Sequence, residues 1–331
     1  MTAPRARSRN APAGPSPFLP AAPRLPREKF ADPAWTARGE PRASVALSAL
    51  ETLWFNTGTL CNVSCANCYI ESSPANDALQ YLSAAHVRRF LDEVERTGLP
   101  TREIGFTGGE PFMNPEFPAM LEDALARGFD VLVLTNAMRP MRHHEALLMA
   151  LWWRFGGRLT LRVSLDHHTQ AVHEAERGMA SWEPALSGVK WLSTKGFRIA
   201  VAGRQLKGEG QEAARNGYAG LFQREGIALD AYDPASLVLF PEMDAGADIA
   251  EITTDCWSIL GKSPDDVMCA SSRMVVHRKG EAEPCVVACT LLPYEPGFTL
   301  GRTLAEADHP VALNHPHCAR FCVLGGASCS A

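Results

Sequence analysis

From residue 52 onward, short apolar runs rich in β-branched and aromatic residues alternate with longer stretches of helical period. TLWFNT (52–57), EIGFT (103–107), DVLVLTN (130–136), RLTLRVSLD (158–166), FRIAVAG (197–203) and SLVLF (236–240) read as strands. Between them, residues 83–97, 115–127, 143–155, 181–195 and 211–224 read as helices. Ser83 caps the first, and Gly128, Gly196 and Gly226 close the second, fourth and fifth. Six β–α units in series predict an α/β fold with a parallel sheet and helical crossovers. Period alone admits either an open partial barrel or a doubly wound layer.

The rhythm stops near residue 241. Beyond it, few long elements are legible, and seven of the ten cysteines (256, 269, 285, 289, 318, 322 and 329) crowd into a segment rich in Pro and Gly. A segment so poor in regular core relies on metal or cross-links for stability. At the other end, residues 1–48 form a Pro/Arg-rich extension without a continuous apolar stretch, expected to be disordered or draped on the surface. The expected organisation is therefore 1–48 extension, 49–240 α/β core, and 241–331 cysteine-rich module. The chain has 331 residues, a net charge of −5 and 46% hydrophobic residues. These values give no basic footprint for nucleic acid and no span for a membrane. Without a secretory signal the expected compartment is the cytoplasm, where thiols stay reduced and crowded cysteines read as metal ligands.

The polar oddities of the core share one address. Cys61, Cys65 and Cys68 follow the first strand, TGGEP (107–111) the second, Asn136 ends the third, and Ser164 and Asp166 end the fourth. In parallel α/β folds the loops after the strands' C-terminal ends converge on one site. A disulfide would leave one of the three thiols over, and zinc would need a fourth ligand from elsewhere. A [4Fe–4S] cluster on three thiolates leaves one iron open to a substrate or cofactor. Gly108 and Gly109 also suit a tight turn, Glu110 a loop carboxylate, Asn136 a turn residue, and Asp166 a cap. His167, His168 and His173 read as surface-loop histidines.

CNVSCANCY resembles the Cys-x3-Cys-x2-Cys hallmark of the radical S-adenosylmethionine (radical SAM) enzymes, and GGEP (108–111), SLD (164–166) and HEAERG (173–178) extend the resemblance over residues 50–240. It implies a partial (βα)6 TIM-like barrel whose [4Fe–4S] cluster is held by Cys61, Cys65 and Cys68, with its fourth iron chelated by S-adenosylmethionine. Gly108, Gly109 and Glu110 would then face the methionyl group, and Ser164 and Asp166 the ribose, with Asn136 as a further contact. Asn67 stands where the family usually has an aromatic residue. The resemblance further implies reductive cleavage of S-adenosylmethionine to a 5′-deoxyadenosyl radical. That radical abstracts hydrogen from an unidentified peptide, protein or small molecule, with electrons from an external low-potential donor.

CASSRMVVHRKGEAEPC (269–285) reads as a strand, a Lys-Gly turn and a return. It resembles the opening of the SPASM or Twitch extension of that family, and TLGRTLAEA (299–307) resembles the strand and helix that follow there. The extension implies an auxiliary [4Fe–4S] cluster. Cys269, Cys285, Cys318 and Cys322 are the leading ligands, with Cys289 and Cys329 as rivals. His315 and His317 keep a structural zinc site open as an alternative, and Cys256 reads as a buried free thiol. The competing class for the whole chain is a non-catalytic zinc or iron–sulfur scaffold, which would need neither GGEP nor SLD.

Overall fold

The computed structural model describes residues 16–19, 23–206, 208–241 and 244–326. Strand β1 (Ser44–Val45) precedes a run of β2 (Thr52–Asn56), β3 (Glu103–Thr107), β4 (Asp130–Thr135), β5 (Leu159–Ser164), β6 (Arg198–Arg204) and β7 (Leu237–Phe240). After these come β8 (Ser272–Val276), β9 (Cys285–Val287), β10 (Thr299–Gly301) and β11 (Val311–Ala312). The helices are α1 (Ala84–Thr97), α2 (Phe117–Ala126), α3 (Arg139–Arg142), α4 (Glu145–Phe155), α5 (Gln170–Arg177), α6 (Trp182–Thr194), α7 (Gln211–Glu225) and α8 (Cys256–Leu260).

From β2 to β7 every neighbouring pair is parallel and in chain order. A doubly wound sheet reverses its strand order at a switch point, whereas a barrel wall does not. The order therefore selects the partial barrel. Its strands are covered on both faces, and all five residues of β2 are buried. Trp54 on β2 lies against Gly105 on β3, where a Cβ would come within 2.3 Å of the indole. Only glycine fits there.

The wall continues beyond β2. Strand β8 pairs with it in parallel, and β9 and β10 add antiparallel strands to make a sheet of nine. The boundary expected near residue 240 is thus not a boundary of the sheet. The hairpin read in 269–285 forms as β8 and β9, but the helix expected within 299–307 does not. Between β10 and residue 307 the chain makes only bends and turns, with Thr303 accepting the N–H groups of Glu306 and Ala307.

The extension from residue 23 is tied down along its length. The N–H of Leu25 donates to Gly246, Lys29 pairs with Asp248 at 2.7 Å, and the N–H of Ala43 donates to Ile252. Arg42 and Glu251 make a buried ion pair at 2.6 Å, and β1 pairs with β11. Between residues 23 and 48 the extension is thus not disordered but held by backbone pairing and buried charge, neither of which leaves an apolar period to read. Residues 1–15 and 20–22 of that reading lie outside the described residues.

Ser83 caps α1 as expected, its hydroxyl accepting the His86 N–H while the His86 ring accepts the Ser83 N–H. Helix α5 was not anticipated. Its buried residues are His173, Glu174, Glu176 and Arg177, so it shows no apolar stripe.

Candidate functional site

Cys61, Cys65 and Cys68 line one cavity together with Gly108, Gly109, Asn136, Ser164 and Asp166. Loops after β2, β3, β4 and β5 thus converge, and they bring together all the strand-end residues predicted from the sequence except Glu110. Cys61 is buried, and Cys65 and Cys68 are half-buried. Burial, with the Glu110 carboxylate second, pushes the Cys61 thiol up to about 12, and burial pushes Cys65 upward too. Such thiols become thiolates only beside a strong positive charge.

The glycine turn lines the cavity and also packs against the cysteine loop. The N–H groups of Gly109 and Glu110 donate to the carbonyls of Gly58 and Leu60, at 2.8 and 3.1 Å. They brace the cysteine loop rather than point into the cavity. A Cβ on Gly109 would sit 2.2 Å from the Leu60 carbonyl oxygen and 2.7 Å from that of Thr59. Gly108, at φ +152°, would place a Cβ 2.6 Å from the Gly58 oxygen. These glycines let two loops pack backbone to backbone.

Glu110 is 1% exposed and engages the end of β4. Its carboxylate accepts from the Thr135 hydroxyl and the Asn136 N–H, both at 2.8 Å. Burial holds it up at about 7 in spite of these bonds. The Asn136 side chain donates to the Asn62 side chain at 2.9 Å, and the positive φ of this turn falls on Ala137, not Asn136.

Asp166 anchors a buried charge network that sequence reasoning did not assemble. Arg177 of α5 donates to both its carboxylate oxygens, at 2.6 and 3.3 Å, and Arg204 of β6 lies 3.7 Å away. Burial would raise this carboxyl, but Arg177 and then Arg204 bring it down to about 2. Arg204 also pairs with Glu176 at 3.2 Å and donates to the Asn67 carbonyl at 2.9 Å. Glu176 in turn accepts the N–H groups of Ala66, through its carbonyl, and Asn67, through its carboxylate. The loop between Cys65 and Cys68 is therefore fastened to α5 and β6 by charge. The clue was the dense charge of HEAERG, one helix away from SLD.

The histidines are not surface residues. His173 is 0% and His167 4% exposed, because α5 and the turn before it fold under the cysteine loop. Burial pushes His173 down to about 4.

Residues 55–211 match the family model of the radical SAM superfamily. That segment, a little under half of the chain, is a radical SAM domain. It is 32% identical over 143 residues to the antilisterial bacteriocin subtilosin biosynthesis protein AlbA of Bacillus subtilis, covering 43% of this chain and 30% of that one. It is 31% identical over 137 residues to the mycofactocin maturase MftC of Mycobacterium tuberculosis, covering 41% and 33%. The chain thus spans about a third of the length of these relatives. By structure it resembles SuiB of Streptococcus suis, solved with bound S-adenosylmethionine, at a TM-score of 0.55 and 12% identity over 77% of this chain and 63% of SuiB. SuiB bound to its precursor peptide SuiA gives the same score over 85% and 67%. These neighbours agree with the barrel reading of the sheet.

Radical SAM proteins hold a [4Fe–4S] cluster and S-adenosylmethionine. The residues present fit that pair. One buried and two half-buried thiols share a cavity with a carboxylate, an amide and a hydroxyl.

A second cavity lies in the part of the chain beyond the family match. It is lined by Cys269, Cys289, Cys318, Cys322 and His317 among apolar side chains. Cys318 and Cys322 sit on the π-helical turn Cys318–Leu324, four positions apart and so on one face of it. Cys285, a leading candidate by sequence, does not line it. It is held on β9, where its sulfur accepts from Arg278 at 3.5 Å, and Cys289 takes its place. Cys329 lies outside the described residues. Cys256 is half-buried and accepts the Thr253 N–H at 3.3 Å.

A third cavity adjoins the first. It shares Tyr69, Leu134, Ser164, Asp166, Arg177 and Arg204 with it and is closed by Arg162, Phe240, Pro241, Leu291 and Phe321. Leu291 and Phe321 come from the cysteine-rich segment. None of the described helices is long and apolar enough to cross a membrane.

Proposed function

We propose that this chain is a radical SAM enzyme acting on a peptide, with one cluster on Cys61, Cys65 and Cys68 and an auxiliary cluster on Cys269, Cys289, Cys318 and Cys322. In this reading residues 49–240 are the catalytic core and 241–331 the auxiliary-cluster module. The observation that carries it is the junction of the cysteine-lined cavity with the largely apolar one across Tyr69, Ser164 and Asp166. That places any reactive species made in the first beside whatever occupies the second.

When bound, the cofactor pair supplies a 5′-deoxyadenosyl radical by reductive cleavage of S-adenosylmethionine, with an electron from an external low-potential donor. The chain's own residues do the rest. The Gly108–Gly109 turn fixes the cysteine loop against β3, and the network of Asp166, Glu176, Arg177 and Arg204 fixes it against α5 and β6. Asn136, Ser164 and Asp166 offer polar contacts for the amino acid and ribose ends of the cofactor. Tyr69, Phe240 and Phe321 exclude water from the adjoining cavity.

A peptide substrate is supported by the relatives, named for subtilosin biosynthesis and mycofactocin maturation, and by the SuiB complex with its precursor peptide. Clusters rather than zinc are supported by spacing. Two thiolates on one tetrahedral zinc stand about 3.8 Å apart. Among the described residues, the side chains that bring three donor atoms within 4.8 Å of one another are His167, His168 and Glu209, not cysteines.

Iron content tests the assignment. Anaerobically reconstituted protein should hold about eight irons per chain, and the variant with Cys61, Cys65 and Cys68 all changed to Ala about four. Stoichiometric zinc with iron near zero would favour the scaffold reading instead.

A further inference from the structure

Arg273, on β8, is 1% exposed, and among the described residues no carboxylate makes an ion pair with it. Its guanidinium donates instead to four backbone carbonyls. Nη1 reaches those of Cys269 and Ser272, at 2.5 and 2.8 Å, Nε that of Ala307 at 3.1 Å, and Nη2 that of His309 at 3.3 Å. Asp308, between the last two acceptors in the chain, is exposed. We propose that Arg273 is the counter-charge of the auxiliary cluster and holds its reduction potential up. This rests on the reading of Cys269, Cys289, Cys318 and Cys322 as that cluster's ligands.

Four carbonyls satisfy the donors of the guanidinium but do not neutralise it, and arginine does not shed its proton. A buried charge without an opposite charge is costly to keep. A cluster on four thiolates supplies that opposite charge, about −2 when oxidised and about −3 when reduced. Cys269 is the link. Its carbonyl accepts from Arg273 while the residue lines the second cavity. A positive charge fixed on the backbone of a ligand favours the form with the extra electron. Salt screens such a buried pair far less than an exposed one.

The charge is also held in place. Its acceptors come from the turn Met268–Ala270, from β8 itself and from the chain after β10. The Ser272 hydroxyl donates to the Met268 carbonyl at 2.9 Å and braces that turn from the same strand. The guanidinium therefore stays beside Cys269 in both oxidation states.

The full chain with Cys61, Cys65 and Cys68 changed to Ala isolates the auxiliary cluster, with about four irons. Its reduced-state electron paramagnetic resonance signal is followed anaerobically against potential. In that parent, Arg273→Gln and Arg273→Met should shift the cluster about 10-fold toward the oxidised form at fixed potential, a midpoint lower by about 59 mV, with iron unchanged. Arg273→Lys keeps the charge and should stay within about 3-fold of the parent. An unmoved midpoint in the neutral variants, or one that falls as far in Arg273→Lys, would overturn the proposal. Where the neutral variants lose the cluster, Arg273→Lys decides. Retention of iron and of the parent midpoint supports the charge, and loss of iron there too assigns Arg273 to folding alone and overturns it. A parent without any cluster would overturn the ligand reading instead.

Discussion

Asp166→Asn probes the charge network that fastens the cysteine loop, because it removes one charge and keeps the volume. Arg177 and Arg204 bring the carboxyl from its ordinary 3.8 down to about 2. That drop corresponds to on the order of 2 kcal/mol of folding stability. The sign follows from the depression. The contribution is fully present above the unfolded value of 3.8, so it acts in full at pH 7, and it is lost as pH falls through about 2. The substitution also leaves Arg177 buried without its carboxylate, so the total loss should approach the ~3–5 kcal/mol of a broken buried pair. Glu176 keeps Arg204 partly neutralised and holds the loss near the lower end. Thermal melts of anaerobic wild-type and variant protein at pH 7, at one scan rate, should differ by roughly 6–10 °C, taking about 2–3 °C per kcal/mol for a chain of this size. A difference within about 1 °C would refute the claim that this network secures the site.

Three further outcomes follow. Gly109→Ala should cost about 1–3 kcal/mol and lower the iron retained at the first site, since the added methyl meets the Leu60 and Thr59 backbone; unchanged melting and iron would show that the two loops are not packed as described. Cys289→Ala should lower iron by up to four per chain while Cys285→Ala leaves it unchanged, and the reverse pattern, read by iron assay, would restore Cys285 as a ligand. Arg42→Ala should destabilise the fold by about 3–5 kcal/mol, because Glu251 is left buried without its partner; a melt within 1 °C of wild type would show that the N-terminal stretch contributes nothing.

What the sequence made legible follows from where signals are local. The strands between Thr52 and Phe240 announced themselves by β-branched runs, and the strand-end chemistry by its repetition at matching positions. Helix α5 was hidden because the face it buries is His173, Glu174, Glu176 and Arg177, and a polar buried face has no apolar period. The pairing of β8 with β2 joins Thr52 to Ser272 across more than two hundred residues, and no local pattern encodes it. Cys285 and Cys289 are indistinguishable by spacing, and only the register of β9 separates them. The packing of the GGEP glycines against the backbone of Gly58, Thr59 and Leu60 joins loops some fifty residues apart, and no local pattern encodes it.

The central claim, that the cavity of Cys61, Cys65 and Cys68 is where S-adenosylmethionine is cleaved, is met most directly by one product. Anaerobic, cluster-loaded and reduced protein incubated with S-adenosylmethionine should slowly form 5′-deoxyadenosine even without a peptide. Cys65→Ala should form none, while Cys289→Ala, altered only in the second cavity, should still form it. No detectable 5′-deoxyadenosine from wild-type protein whose first cluster is intact and reduced would contradict the account.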